Sequence, residues 1–181
     1  MKELSLNILD IAENSTKAKA EFVKIEITED NSSLIIRISD NGVGMSDETL
    51  KSVSDPFYTT RTTRKVGMGI PLFRLSAEQS GGYLTIQSKH IDLFPDDHGT
   101  VVTAVFNKNH IDFTPLGDII STITTLIQGH PLVDFLFIHR IDEKVILLDT
   151  REIRNVLEDV PLDTFEVLLW IKENLAEQYE L

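Results

Sequence analysis

The spacing of apolar and polar positions changes period several times along this chain, and each change predicts an element. Over residues 2–18 the period is helical: Leu4, Ile8, Ile11 and Ser15 share one face. Asn7, Asp10, Asn14 and Lys17 form a second, wholly polar stripe roughly a quarter-turn away. The period then drops to two. FVKIEIT (22–28) and SLIIRIS (33–39) alternate β-branched with polar residues, and the turn EDNSS between them predicts a hairpin. DNGVGM (40–45) is a glycine-containing turn. Ser46 stands where it can cap a short helix, with Asp47 and Glu48 in the first turn. That helix ends by Ser54, because Pro56 disfavours helical geometry before it. A helix follows over 70–79, with Pro71 tolerated in its first turn and Gly81 and Gly82 ending it. YLTIQS (83–88) and TVVTAVF (100–106) read as two more strands, joined by a polar, acidic loop.

Residues 107–116, with Asn, Asp and Pro, read as a connector. Beyond it DIISTITTLIQG predicts a helix, DFLFIHRI and KVILLDT a hairpin around Asp142–Glu143, and residues 151–158 and 163–178 two helices. In the last of these Leu168, Leu169, Trp170 and Ile171 read as core. The element order implies an α+β fold with a mixed sheet and helices on one face. It divides into residues 1–108 and a small α/β extension, 109–181, which would cover a sheet edge or make a homodimer.

Composition narrows the partners. The 181 residues are 41% hydrophobic and 25% charged, enough apolar material for a core. Asp and Glu number 29 against 17 Lys and Arg, a net charge of −12. A general nucleic-acid or anionic-membrane surface is not expected from that balance. There are no cysteines, which excludes disulfides and thiolate metal sites and fits a cytoplasmic protein. Asn7 and Asp10 interrupt the apolar part of the N-terminus, making it a poor signal peptide, and no window reaches the ~18 apolar residues of a membrane span.

Against that background DPFYTTRTTRKVGMGIPL (55–72) stands out, with Arg61, Arg64, Lys65 and four threonines within seven residues. Gly67 and Gly69 follow at a helix start, where exposed amides and the helix dipole favour an anion. Alone, this stretch also fits a solvated loop, and DNGVG an ordinary turn. The Walker pattern G-x-x-x-x-G-K-[ST] is absent, and GMGIPL lacks the third glycine of a Rossmann fingerprint. On the first helix Asp10 and Asn14 are four apart and project side by side. An amide oxygen suits Mg²⁺, and a carboxylate beside it can orient or deprotonate water.

The ordered set E-N-S-x-K-A, D-N-G-V-G-M, D-P-F-Y-T-T-R, G-M-G-I and G-G-Y-L…G-T-V-V, within residues 4–106, resembles the GHKL ATPases of the Bergerat fold. That group includes gyrase, heat-shock chaperones, histidine kinases and MutL-type proteins. The resemblance implies a two-layer α/β sandwich, ATP and Mg²⁺ as ligands, and residues 1–108 as a histidine-kinase-like ATP-binding domain. It implies Asn14 as metal ligand, Lys17 as the basic residue after it, and Asp40 as acceptor of the adenine amino group. Gly42, Gly44 and Met45 would lie beneath the purine and Thr100 near it. Thr60, Arg61, Arg64, Lys65, Gly67 and Gly69 would meet the triphosphate. Asp10 stands where gyrase-like members have a glutamate base and histidine kinases often have asparagine.

The first box opens within ten residues of the start of this sequence. None of the five histidines (90, 98, 110, 130 and 139) lies in an H-E-x-x-x-P setting, so self-phosphorylation on histidine is not expected. His139 reads as a satisfied sheet residue. LLDTREIRNVLEDVPL resembles small stand-alone ATP-binding proteins encoded beside iron-only hydrogenase subunits, implying a redox, hydrogenase-associated or signalling partner. Three functions fit: slow ATP hydrolysis or phosphotransfer to a separate protein, an ATP-gated binding switch with negligible hydrolysis, or anti-sigma-type serine kinase activity.

Overall fold

A computed structural model describes residues 3–54 and 68–181. The order is α1 (Leu4–Lys17), β1 (Phe22–Glu29), β2 (Ser33–Asp40), α2 (Asp47–Ser54), α3 (Gly69–Gln79), β3 (Tyr83–Lys89), β4 (Gly99–Asn107), α4 (Ile119–Gly129), β5 (Asp134–Ile141), β6 (Lys144–Asp149), α5 (Thr150–Leu157) and α6 (Phe165–Glu180). Six strands form one sheet in the order β3-β4-β2-β1-β5-β6. Every pairing is antiparallel except β1 with β5, which runs parallel from Phe22–Asp134 to Glu29–Ile141. The sheet is therefore mixed, as the element order implied.

One face of the sheet carries the core. Val23, Ile25 and Ile27 of β1, Leu34, Ile36 and Ile38 of β2, and Phe135 and Phe137 of β5 are buried, alternating with residues that are not. Leu4, Ile8 and Ile11 of α1, Phe73 of α3, Leu126 of α4 and Ile171 of α6 complete the same cluster. The opposite face keeps charge, with Glu26 directly across from Arg37. Lys24 lies 2.9 Å from Glu26 on that face.

The extension is continuous with the sheet, because β5 covers the β1 edge along its whole length. The connector also ties the two ends of the fold. Leu4 and Ser5 amides donate to the carbonyls of Pro115 and Leu116. α5 closes the end of the sheet where β5 begins: Arg154 Nε donates to Asp134 at 2.7 Å, and Thr150 Oγ1 accepts from the Phe135 amide at 2.8 Å. Among the described residues no helix is long and apolar enough to cross a membrane.

Within the polar stripe of α1, Asn7 is fully buried, and neither polar atom of its amide has a hydrogen-bond partner among the described residues. One expectation needs correction. In α6 only part of the apolar run is core. Ile171 is buried, but Leu169 and Trp170 are 44% and 52% exposed, because consecutive residues fan around a helix 100° apart. His139 meets its expectation in part: it is buried in β5 with Nδ1 2.7 Å from the Tyr179 hydroxyl, but its Nε2 has no hydrogen-bond partner among the described residues.

Candidate functional site

The site begins with register. Ser88 of β3, Thr100 of β4 and Asp40 of β2 are consecutive partners across three strands, and even spacing puts Asp40 on the same face as Ile36 and Ile38. The end of the sheet thus turns a carboxylate toward α1. Asp40 is held there by three donors. Ser15 Oγ donates to Oδ2 at 2.6 Å, the Gly42 amide to Oδ1 at 2.9 Å and the Thr100 amide to Oδ1 at 3.3 Å. A carboxylate has about four lone-pair sites, so among the described residues one, on Oδ2, is left for a further donor.

The glycine turn behind Asp40 is pinned on both sides. The Val43 amide donates to the Ala18 carbonyl at the end of α1, and the Ile91 amide donates to the Val43 carbonyl. Gly44 has φ +71°, and a Cβ there would lie 2.0 Å from the Lys89 carbonyl oxygen, so any side chain is excluded. At Gly42 a Cβ would come within 2.8 Å of the Ala18 carbonyl oxygen. His98 Nδ1 lies 2.6 Å from the Gly42 carbonyl; a carbonyl only accepts, so Nδ1 carries the proton and donates. Asn41 does not face a ligand: its side-chain oxygen accepts from the Glu21 and Phe22 amides, both at 2.9 Å, fixing the start of β1.

A cavity of about 420 Å³ opens between these elements, within the range of small-molecule sites. Asn14, Lys17, Asp40, Gly44, Met45 and Thr100 line it, with Ile11, Ile38, Val53, Ile70 and Val102 as apolar wall. Gly42 supports Asp40 from behind. Gly69 lies beside the cavity: its neighbour Ile70 lines the wall, and a Cβ on Gly69 would stand 3.0 Å from Asp10 Cβ. Asp10 is exposed and does not line the cavity, but it adjoins the N-terminus of α3, which no side chain caps among the described residues. Thr60, Arg61, Arg64, Lys65 and Gly67 lie outside the described residues.

Two residues at the centre of this network escape sequence reading. Ser15 reads as part of an apolar stripe, yet it is buried against Asp40. Ser88 sits in an ordinary alternating strand, yet its hydroxyl accepts from the Met45 amide at 2.8 Å and lies 2.8 Å from Thr100 Oγ1. Strand register, which single residues do not announce, is the signal that finds both.

Comparison with known proteins follows the same elements. Residues 1–110 match the family described as "Histidine kinase-, DNA gyrase B-, and HSP90-like ATPase". A "Putative sensor protein" of Shewanella frigidimarina is 29% identical over 89 residues, covering 49% of this chain and 14% of that protein. "Sensor protein SrrB" of Staphylococcus aureus is 34% identical over 94 residues, covering 49% of this chain and 16% of that protein. The chain therefore spans a small part of these relatives' length.

Among solved structures, the Aquifex aeolicus MutL ATPase domain complexed with ADP superposes with a TM-score of 0.55 at 16% identity, covering 87% of this chain and 70% of that one. The N-terminal domain of a DNA repair protein gives 0.52 at 18%, covering 82% and 53%. At these identities the likeness is one of fold, and an 87% coverage carries it beyond residue 110 into the segment that supplies β5 and β6. With its first four strands and three helices inside the matched segment, the chain belongs to the histidine kinase-, DNA gyrase B- and HSP90-like ATPases, the GHKL family.

Proposed function

We infer that this protein binds ATP with magnesium in the cavity between α1, β2 and β4, and hydrolyses it slowly or passes its phosphoryl group to a separate protein. The observation that carries this reading is Asp40: a carboxylate fixed by three donors, with one lone-pair site left, on the wall of a cavity that also exposes Asn14. That vacant site fits the amino group of adenine. Guanine has a carbonyl oxygen at the same place, which the carboxylate would repel.

The remaining roles follow from position and residue type. Thr100 and Met45 would flank the base, with Gly44 letting it approach the backbone. Asn14 offers an amide oxygen and Lys17 a point charge on the phosphate side. Among the described residues no three His, Cys, Asp or Glu side chains converge on a metal position. Such a chain suits magnesium that arrives with the nucleotide's own phosphates, held through Asn14. Bound there, magnesium would neutralise charge developing on the phosphates. The α3 amides stand ready for a phosphate oxygen, and by sequence Arg61, Arg64 and Lys65 would supply further charge. Asp10, beside that helix start, would orient the attacking water or take its proton. We assign residues 1–108 to the nucleotide and 109–181 to a cytoplasmic protein partner of a signalling or redox system.

Single-turnover hydrolysis with Asp10→Asn tests the catalytic assignment. The expected result is a rate at least about 100-fold lower, with ATP affinity little changed. Equal rates would remove Asp10 as the base and leave an ATP-gated binding switch as the better reading.

A further inference from the structure

A second hollow, about 640 Å³, shares no lining residue with the nucleotide cavity. It lies between α5 and α6 against β6. Glu166, Trp170 and Asn174 of α6 recur every fourth residue, so they form one stripe along one wall. Ile153, Val156 and Leu157 of α5 form the other wall. The hollow is an open groove: Val156 is 82% exposed, Trp170 52% and Leu147 46%. Apolar side chains gathered this way mark a surface that something covers.

The chemistry around the groove selects its occupant. β6 is an edge strand, and an added strand would normally pair with such an edge. Here that edge is already taken at Leu147. Gln178 of α6 accepts from the Leu147 amide at 2.8 Å and donates to its carbonyl at 3.0 Å. Asn174 accepts in turn from Gln178 at 2.8 Å, which fixes the amide in that role. A small apolar ligand would remain largely in water in a groove this open. A helix laid lengthwise needs no backbone edge, only an apolar trough and complementary lips. The lips are acidic: Glu152 and Glu166 line the groove, and neither forms an ion pair with a described residue.

We propose that this groove docks a basic amphipathic helix of a partner protein. Its apolar stripe packs between Trp170 and Val156, and its Lys or Arg side chains meet Glu152 and Glu166. The partner is the one the functional reading calls for, but no residue of the ATP cavity takes part. A failure of the groove leaves nucleotide binding standing, and the reverse also holds.

The probe is a labelled synthetic peptide of about 18 residues, long enough to be helical, built from Leu and Lys at helical spacing. Two controls accompany it, one with Glu for Lys and one of the same composition in scrambled order. Trp170 is the chain's single tryptophan, so its emission reports the groove directly. The expected result is a blue shift of that emission on adding the Lys peptide. Anisotropy should show it binding at least about tenfold tighter than either control. Trp170→Ala, and separately Glu152→Lys with Glu166→Lys, should each weaken it about tenfold while circular dichroism and ATP binding stay unchanged. Equal binding of the scrambled peptide, no loss with Trp170→Ala, or no binding at all overturns the proposal. Sedimentation showing a dimer that Val156→Asp dissolves would assign the groove to a second copy of this chain, and also overturns it.

Discussion

At the residue scale the site depends on how one carboxylate is oriented. Asp40 would recognise a base only if the free lone pair of Oδ2 points into the cavity, and Ser15 fixes that by donating to the same oxygen at 2.6 Å. Removing the hydroxyl frees Asp40 to rotate and leaves the fold's apolar packing intact. Ser15→Ala is therefore expected to weaken ATP binding about fivefold, the worth of one such hydrogen bond, with little change in melting temperature. Calorimetric titration of ATP checks it, and an unchanged affinity would show that the Gly42 and Thr100 amides alone suffice. Asp40 and Asn14 were legible in the sequence because their motifs fix residue type and order. Ser15 was not, because a serine at a core-facing helical position looks the same whether it packs or donates.

At the scale of elements, the docking of α6 adds a buried polar contact to the apolar packing of Val167, Ile171 and Leu175. His139 of β5 meets the Tyr179 hydroxyl of α6, Nε2 lies 3.7 Å from Glu29, and Lys144 Nζ donates to the Tyr179 carbonyl at 2.6 Å. Burial first, and the Lys108 charge second, hold the His139 imidazole down at about 4. Burial and the Glu29 charge raise the Tyr179 phenol. An unfolded histidine titrates near ~6.5. Below that pH the unfolded chain binds a proton that the folded chain refuses, so stability rests on neutral His139. That contribution is complete above ~6.5 and is lost as the pH falls toward ~4, on the order of 3 kcal/mol. Melting temperature should fall across this window, and His139→Gln should flatten the fall. An identical pH profile in the variant would place the acid sensitivity elsewhere.

The same scale shows where pattern reading stops. Every strand and helix among the described residues was visible as a change of period. The two hairpins, β1 with β2 and β5 with β6, were legible from their turns, but the in-register parallel pairing of β1 with β5 was not, because it joins segments more than a hundred residues apart. Trp170 went astray for a related reason: an apolar run in a helix does not say which of its members face the sheet.

At the scale of the molecule, the acidic charge and the site it surrounds are complementary facts. A chain of net charge −12 repels a polyphosphate unless local donors outweigh it. Ile70 at the start of α3, Lys17 at the end of α1, and Asn14 line the same cavity. The acidic groove of α5 and α6 is built from other residues, so the proposed nucleotide and partner surfaces are separate on one continuous sheet.

Calorimetric titration of ATP and GTP in parallel, with magnesium, tests the central claim most directly. The account predicts that ATP binds at least about tenfold more tightly and that Asp40→Asn removes most of that preference. Equal affinity for the two nucleotides in the unaltered protein would contradict it.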